Sequence, residues 1–397
     1  MITAVCRRRT PADGARLPVS ASLIAHARGR SSVDFPHVGF IAVSQEKVGH
    51  RMTVEGESRR APNDRSALSV ARLDDLFADL EAVAEEPVDE ASRRFFRIAG
   101  LTVEVQSDRP FAADTFAPKF GLFAVDGPGE DTIVLRHHFG VPRVRVEDLG
   151  PVVARRGAWT IHHPDSRWIY TRNAPPTGIT EVEALAVFTD DHRFGSLYNG
   201  QMGQVWFGGG GAPSLTLWPT DQVLLARVMA DRQACYFHSC GAVLNGHGLL
   251  LIGHSGSGKS TALRLLQAVG VPLCDDRNVV RLWPDGLRVH GTWSHGTVPV
   301  VSAGSAPLRA LLLVRKSTEN RLRLIEDPRE KSATLLSCLV KPLATADWWE
   351  KVMALVDTMA RETPCYEMEF DLSGDVLAWL QQLCSDDGTA PELERKR

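Results

Sequence analysis

The pattern of hydrophobic and polar positions changes in character along the chain. Residues 1–68 show little periodicity and carry many arginines with scattered Pro, Ser and Gly, so this segment is predicted to be mostly disordered. A second interpretation is that Met52 is the true start of the protein. Apolar residues then recur at helical spacing from Leu73 to Val83, with acidic residues on the opposite face, which predicts one amphipathic helix.

Short runs rich in β-branched and aromatic residues dominate residues 95–207. Such runs between turn residues are typical of strands, so we expect a β-rich N-terminal domain over residues 69–212. The glycine run at 208–211 lacks the Lys-Ser/Thr pair that completes a phosphate-binding loop, and it is interpreted as a loop or linker.

Strand and helix patterns alternate over residues 213–384, which predicts a second domain, followed by a charged tail at 385–397. Asn245-Gly246 between two apolar runs predicts a β-hairpin, because both turn positions need positive φ. The expected fold class is α/β (α+β). Other elements predicted here are a helix capped by Thr220 or Asp221, a hairpin at 279–290, a strand at 309–314 and helices near 331–339, 348–361 and 374–383.

The strongest chemical signal is a phosphate-binding loop (P-loop). Residues 253–260 have the sequence GHSGSGKS, which fits G-x-x-x-x-G-K-[ST] at every fixed position, between a strand at 249–252 and a predicted helix at 261–269. Glycines let successive N–H groups point at a polyphosphate, while Lys259 can reach the β- and γ-phosphates and Ser260 can ligate Mg²⁺. The residues expected to bind ATP are Gly253, Ser255, Gly256, Ser257, Gly258, Lys259, Ser260 and Thr261.

Two adjacent carboxylates, Asp275 and Asp276, follow the helix of the P-loop at the end of a predicted strand, 271–276. Beside a P-loop, one such carboxylate can hold metal while the other accepts a proton. The later strand at 310–314, where an ordinary P-loop enzyme would place its acid, ends in Arg-Lys instead. The alternative interpretation is a surface turn with two solvated aspartates.

This order of motifs resembles the HPr kinase/phosphorylase family, whose members share a core with ATP-type phosphoenolpyruvate carboxykinase. The resemblance implies that residues 213–384 form a P-loop kinase domain of that type with a mixed sheet. In that family a histidine precedes a hairpin and the P-loop, and an Asp-Asp pair follows. Here His238 lies fifteen residues before Gly253, and the resemblance is best over residues 236–280. The motif Gly291-Thr292-Trp293 is similar to a Gly-Thr-Pro-Trp loop of related proteins with its proline missing.

The resemblance implies a role for each matching residue. Asp275 would be the base that takes the proton from an acceptor hydroxyl, and Asp276 would help Ser260 to hold Mg²⁺. His238 would lie near the transferred phosphoryl group, which Lys259 also contacts. The long glycine-rich signature that follows the Asp-Asp pair in the family is absent, as is the usual N-terminal domain of HPr kinases, so a serine of another protein or peptide is at least as plausible an acceptor as HPr.

The expected function is an ATP- and Mg²⁺-dependent kinase that phosphorylates a hydroxyl of a protein, a peptide or a small molecule. Alternatives are a nucleotide-binding regulator without catalysis and a carboxykinase-like enzyme acting on a small acid. A net charge of −3 and the lack of a long apolar run indicate neither nucleic-acid nor membrane binding. Seven cysteines without a C-x-x-C pair predict reduced thiols and a cytoplasmic location, and the resemblance implies that a homo-oligomer can form.

Overall fold

The computed structural model describes residues 70–156, 159–173, 182–216, 221–342 and 345–385. Residues 65–397 form one compact unit, and every element named below belongs to it. The segment predicted to be disordered, 1–68, lies outside the described residues, as does the predicted tail beyond Ser385.

The first part of this unit is a nine-stranded sheet with the order β3-β1-β2-β4-β9-β8-β7-β6-β5. Strands β2, β4 and β9 are mutually parallel, and the remaining pairs are antiparallel, so the sheet is mixed. The strands are β1 (Arg93–Ile98), β2 (Leu101–Ser107), β3 (Ala124–Val125), β4 (Thr132–Phe139), β5 (Val152–Arg156), β6 (Trp159–His162), β7 (Arg167–Asn173), β8 (Val182–Thr189) and β9 (Phe194–Asn199).

Helix α1 (Leu73–Glu85) is the amphipathic helix that the sequence predicts. Its buried residues Leu76 and Leu80 pack in one cluster with Leu185 and Val187 of β8, because the apolar stripe of a surface helix must face the sheet. The acidic face of the helix remains toward solvent.

Helix α2 (Gln201–Gly209) corrects the interpretation of the glycine run as a loop, since Gly208 and Gly209 are helical. Packing of Phe207 on the rings of Phe111 and Phe116 outweighs the low helix propensity of glycine. The chain leaves the helix at Gly210, whose positive φ of 79° favours glycine.

The second part is a seven-stranded sheet with the order β11-β10-β12-β13-β14-β16-β15. An additional parallel pairing between β11 and β14 closes β11, β10, β12, β13 and β14 into a ring. Its strands are β10 (Ala234–Leu244), β11 (His247–Ile252), β12 (Val271–Trp283), β13 (Gly286–His290), β14 (Ser305–Lys316), β15 (Arg321–Ile325) and β16 (Cys365–Phe370). Its helices are α3 (Asp221–Ala230), α4 (Lys259–Leu266), α5 (Pro328–Cys338), α6 (Ala346–Glu362) and α7 (Val376–Leu383).

Strand β12 differs from the prediction around the two aspartates. The sequence places them at a strand end, yet β12 runs unbroken for 13 residues through Asp275 and Asp276. Pairing with β10 continues past the pair, from Val271 to Arg281, and these long-range hydrogen bonds keep the chain extended. The hairpin predicted at Asn245-Gly246 is confirmed by the tight turn between β10 and β11.

One hydrophobic cluster draws residues from both sheets. Leu101 and Ile133 of the first sheet share it with Tyr236, Val279 and Trp293 of the second part. Two mixed sheets with more strand than helix confirm the expected combination of α and β structure. Within the described ranges, the structure contains no helix of the length and apolarity that crossing a bilayer requires.

Candidate functional site

The loop between β11 and α4 has the backbone that its glycines predict. Gly256 has φ of 82° and Gly258 has φ of 108°, conformations that residues with a Cβ rarely adopt. A Cβ on Gly258 would lie 2.9 Å from Cγ of Lys316 and 3.1 Å from Cζ of Phe370. The ends of β14 and β16 therefore pack against the loop, and only glycine fits at this point.

Lys259 is buried at the start of α4, where its ammonium group rests on the loop itself. Nζ donates hydrogen bonds to the carbonyl oxygens of Gly253, at 2.8 Å, and His254, at 3.1 Å. Burial lowers the pKa of Lys259, while the negative charges of Asp276 and Asp275 act in the opposite direction. The lysine is thus within electrostatic reach of both aspartates.

Ser257 carries a polar atom that the protein leaves unsatisfied. Its Oγ is buried and has no hydrogen-bond partner in the part of the chain that the structure describes. A buried hydroxyl without a partner costs free energy, and such a group in a loop of this kind is suited to donate to a phosphate oxygen. Together with the ammonium of Lys259 it fits an anionic ligand.

Strand register places the two aspartates beside this loop. Cys240 of β10 pairs with Leu251 on one side and with Asp275 on the other. Neighbouring strands are about 4.8 Å apart, so Asp275 lies roughly 10 Å across the sheet from Leu251. Leu251 is the second-last residue of β11, which leads into the loop. His238 and Arg277 pair further along the same two strands, toward the loop.

Asp275 is an internal group. It is 1% exposed, and each of its carboxylate oxygens accepts a hydrogen bond from the protein. Oδ1 accepts from Sγ of Cys240 at 3.0 Å, and Oδ2 accepts from the backbone N–H of Val298 at 2.7 Å. Burial and this contact raise the pKa of the Cys240 thiol, so the thiol stays protonated and donates.

Asp276 has a more open and more polar environment, with its side chain 16% exposed. Its Oδ1 lies 3.1 Å from Nδ1 of His238 and 2.7 Å from Nη1 of Arg277. Burial raises the pKa of Asp276, but the hydrogen bond with His238 and the charge of Arg277 outweigh it and hold the pKa below its ordinary value. The carboxylate is therefore ionised at neutral pH.

The structure brings most of the predicted site residues together. The loop at 253–260, both aspartates and His238 lie on or next to the paired strands β11, β10 and β12. Sequence reasoning missed Arg277, which follows the aspartates directly and places Nη1 2.7 Å from Oδ1 of Asp276. Arg315, at the Arg-Lys end of β14, pairs with Glu367 at 2.8 Å.

A scan against protein-family models finds no match for this chain, and a search among curated proteins finds none either. What the site does must therefore be inferred from its own groups. Those groups are a P-loop with a buried lysine, an ionised carboxylate beside a histidine and an arginine, and an internal carboxylate with a thiol.

Proposed function

We propose that this protein is a Mg²⁺- and ATP-dependent kinase that transfers the γ-phosphate to a hydroxyl, with serine of a protein or peptide as the preferred acceptor class. The observation that carries the proposal is the position of Asp276. An ionised carboxylate, held by His238 and Arg277, lies on β12, which only β10 separates from the strand that leads into the loop of Lys259. A P-loop that only reports bound nucleotide has no need of such a group.

The residues of the loop fit a triphosphate. Lys259 would exchange the carbonyl oxygens of Gly253 and His254 for phosphate oxygens, and the unsatisfied Ser257 hydroxyl would donate to another. The N-terminal end of α4 adds its positive dipole. Ser260 would offer Mg²⁺ a hydroxyl ligand, and a bound Mg²⁺ would supply charge neutralisation for the phosphates.

Asp276 is the carboxylate that we assign to the acceptor hydroxyl. In the proposed step the acceptor oxygen forms a bond to the γ-phosphorus, the bond from that phosphorus to the leaving ADP oxygen breaks, and Asp276 takes the hydroxyl proton. The resemblance assigns this role to Asp275, but both of its oxygens accept internal hydrogen bonds. His238 and Arg277 fix the orientation of the Asp276 carboxylate.

The first test is nucleotide binding. We expect calorimetry with Mg–ATP to show binding to the full-length protein and a loss of affinity of about 100-fold or more in Lys259→Ala, because a buried ammonium that faces the phosphates is removed. Lys351→Ala is the matched control, since Lys351 pairs with Asp231 on the surface and should bind Mg–ATP normally. Equal affinity in wild type and Lys259→Ala contradicts the proposal.

The second test is transfer. Purified protein is incubated with cell extract and γ-¹⁸O-labelled ATP, and mass spectrometry detects the labelled phosphate on proteins, peptides and metabolites. We expect labelled serine with wild type and none with Asp276→Asn. Mg–ATP binding without any labelled acceptor would favour a nucleotide-binding regulator over a kinase.

A further inference from the structure

The loop from Gly291 to Val298, which we name the cover loop, contacts β12 at several successive residues. Thr292 donates its hydroxyl to the carbonyl oxygen of Arg277 at 2.6 Å, and Ser294 accepts from the thiol of Cys274. Asp276 forms a β-bridge with His295. The N–H of Gly296 donates to the backbone carbonyl oxygen of Asp275, and the N–H of Val298 donates to its carboxylate. Every residue from Cys274 to Arg277 is thus held by this loop.

The other side of the cover loop is anchored in the first part of the protein. Trp293 is 2% exposed, and its ring packs on Phe120 and Phe123 with centroid distances of 5.5 and 5.3 Å. Both phenylalanines lie in the short helical turn Pro118–Phe123 that leads into β3. The indole N–H of Trp293 has no hydrogen-bond partner among the described residues, so the ring is held by packing.

We propose that the cover loop is the element through which the β-rich part positions the two aspartates, with Trp293 as its anchor and a positioning residue for phosphoryl transfer. Trp293 lies between Thr292 and Ser294, both of which bind β12, the strand that carries the two aspartates. The consequence for transfer rests on the proposed kinase function, whereas the anchoring itself does not.

The physical basis is that a short loop stays closed only through its own buried contacts and hydrogen bonds. A loop opens locally with a free energy set by its own buried contacts, and an aromatic ring in a core supplies much of that free energy. Removal of the ring on either side of the Trp293–Phe123 contact should release the loop from β12. Asp275 would then lose the N–H donors of Gly296 and Val298, Asp276 would lose its bridge to His295, and the Cys274 thiol would lose its acceptor.

Thiol labelling of the full-length protein tests the anchoring without any substrate. Cys274 is buried, burial raises its pKa to about 11, and the cover loop accepts its hydrogen bond, so N-ethylmaleimide should react slowly. We expect Trp293→Ala and Phe123→Ala to accelerate labelling of Cys274 by more than about tenfold, read by site-resolved mass spectrometry. Labelling of Cys365 and Cys384, buried elsewhere in the second part, should keep its wild-type rate.

Two variants sharpen this test. Trp293→Phe keeps a ring and loses no hydrogen bond, so its Cys274 should label at nearly the wild-type rate. Phe188→Ala truncates a ring of the same core that packs on Tyr170 and His192 instead, and it should leave Cys274 protected. Unchanged labelling of Cys274 in both anchor variants, or equal acceleration at all three cysteines, overturns the proposal.

Activity then tests the consequence. We expect Trp293→Ala to bind Mg–ATP within about twofold of wild type and to lose transfer by about tenfold or more in kcat, with Trp293→Phe restoring most of it. Normal transfer with released Cys274 would overturn the positioning role. If the wild-type protein does not bind Mg–ATP, the proposed kinase function is wrong, but the labelling result still tests the anchoring of the cover loop.

Discussion

At the scale of single residues, two neighbouring aspartates of identical type have different surroundings. Consecutive residues of a strand point to opposite faces, so continuing β12 through the pair separates Asp275 from Asp276. One carboxylate accepts from a thiol and a backbone N–H, and the other from a histidine and an arginine. The sequence predicted the presence of both acids near the P-loop, but their division of roles depends on long-range pairing with β10.

Exchanging each carboxylate for an amide separates the two roles. Asp276→Asn should bind Mg–ATP with similar affinity and lose transfer by roughly 10²- to 10⁴-fold, the usual contribution of a general base. In Asp275→Asn, the side-chain NH₂ would face a donor, either the Cys240 thiol or the N–H of Val298, and one buried hydrogen bond would be lost. The free energy of unfolding should therefore fall by about 1–3 kcal/mol. Calorimetry, transfer assays and denaturant unfolding measure these effects. Full transfer in Asp276→Asn together with a stable but inactive Asp275→Asn would restore Asp275 as the base.

The cation beside Asp276 gives a pH prediction. The folded pKa of Asp276 is depressed, so its stabilising contribution is present above the ordinary value of about 3.9 and is lost as pH falls through the folded pKa. Arg277→Gln removes the cation and raises that pKa. The acid limb of kcat/KM should move to higher pH, and the pH-dependent stability that Asp276 contributes should become smaller because its folded and ordinary pKa values come closer together.

Profiles measured from about pH 3 to pH 7 test this shift, because that window spans the ordinary aspartate pKa. Arg288→Gln is a matched control, since it breaks an exposed pair with Asp285 far from the site. An acid limb that stays in place in Arg277→Gln would show that the charge of Arg277 does not set the ionisation of Asp276.

At the scale of elements, local rules predicted the pieces that local chemistry determines. The Asn245-Gly246 turn and the glycine pattern of 253–258 need particular φ values, and the sequence carries those needs directly. Closure of the ring through β11 and β14 and the unbroken course of β12 depend on pairing between distant residues. Hydrophobic periodicity reflects only local sequence and does not identify distant strand partners. This explains why neither the ring closure nor the unbroken course of β12 was predicted.

The P-loop gives a prediction about its own shape. Gly258→Ala adds a methyl group against Lys316 and Phe370 in a left-handed conformation, and it should weaken Mg–ATP binding by more than about tenfold because Lys259 follows directly. Gly286→Ala is the matched control. Its φ of 116° is equally unfavourable, but no atom lies within 4 Å of the added group.

Both variants should lower the free energy of unfolding by about 1–3 kcal/mol through backbone strain. Only Gly258→Ala should also lose nucleotide affinity, so calorimetry and thermal unfolding on the same samples separate strain from function. Equal nucleotide affinities in the two variants would mean that the shape of the loop at Gly258 has no part in binding.

At the scale of the whole molecule, the two sheets are joined by specific contacts. Nε and Nη2 of Arg232 donate to the two carboxylate oxygens of Asp131 at 2.5 and 2.6 Å. Arg281 donates to the carbonyl oxygen of Ala99 at 2.7 Å. Composition and periodicity predicted a β-rich part and a P-loop part, but a shared interior between distant segments leaves no local signal in the sequence.

This shared interior predicts how pieces of the protein behave. Residues 65–397 alone should unfold at the temperature of the full chain and bind Mg–ATP equally well, because the preceding segment has little hydrophobic periodicity.

Residues 213–384 alone should expose Tyr236, Val279 and Trp293, which the first sheet otherwise covers. Exposed apolar surface of this kind binds the dye ANS and promotes association. Calorimetric scans and ANS fluorescence measure both pieces, with full-length protein as the reference. A 213–384 piece that unfolds cooperatively at the full-length temperature, without ANS binding, would show that the P-loop part is an independent domain and that Trp293 needs no partner in the first sheet.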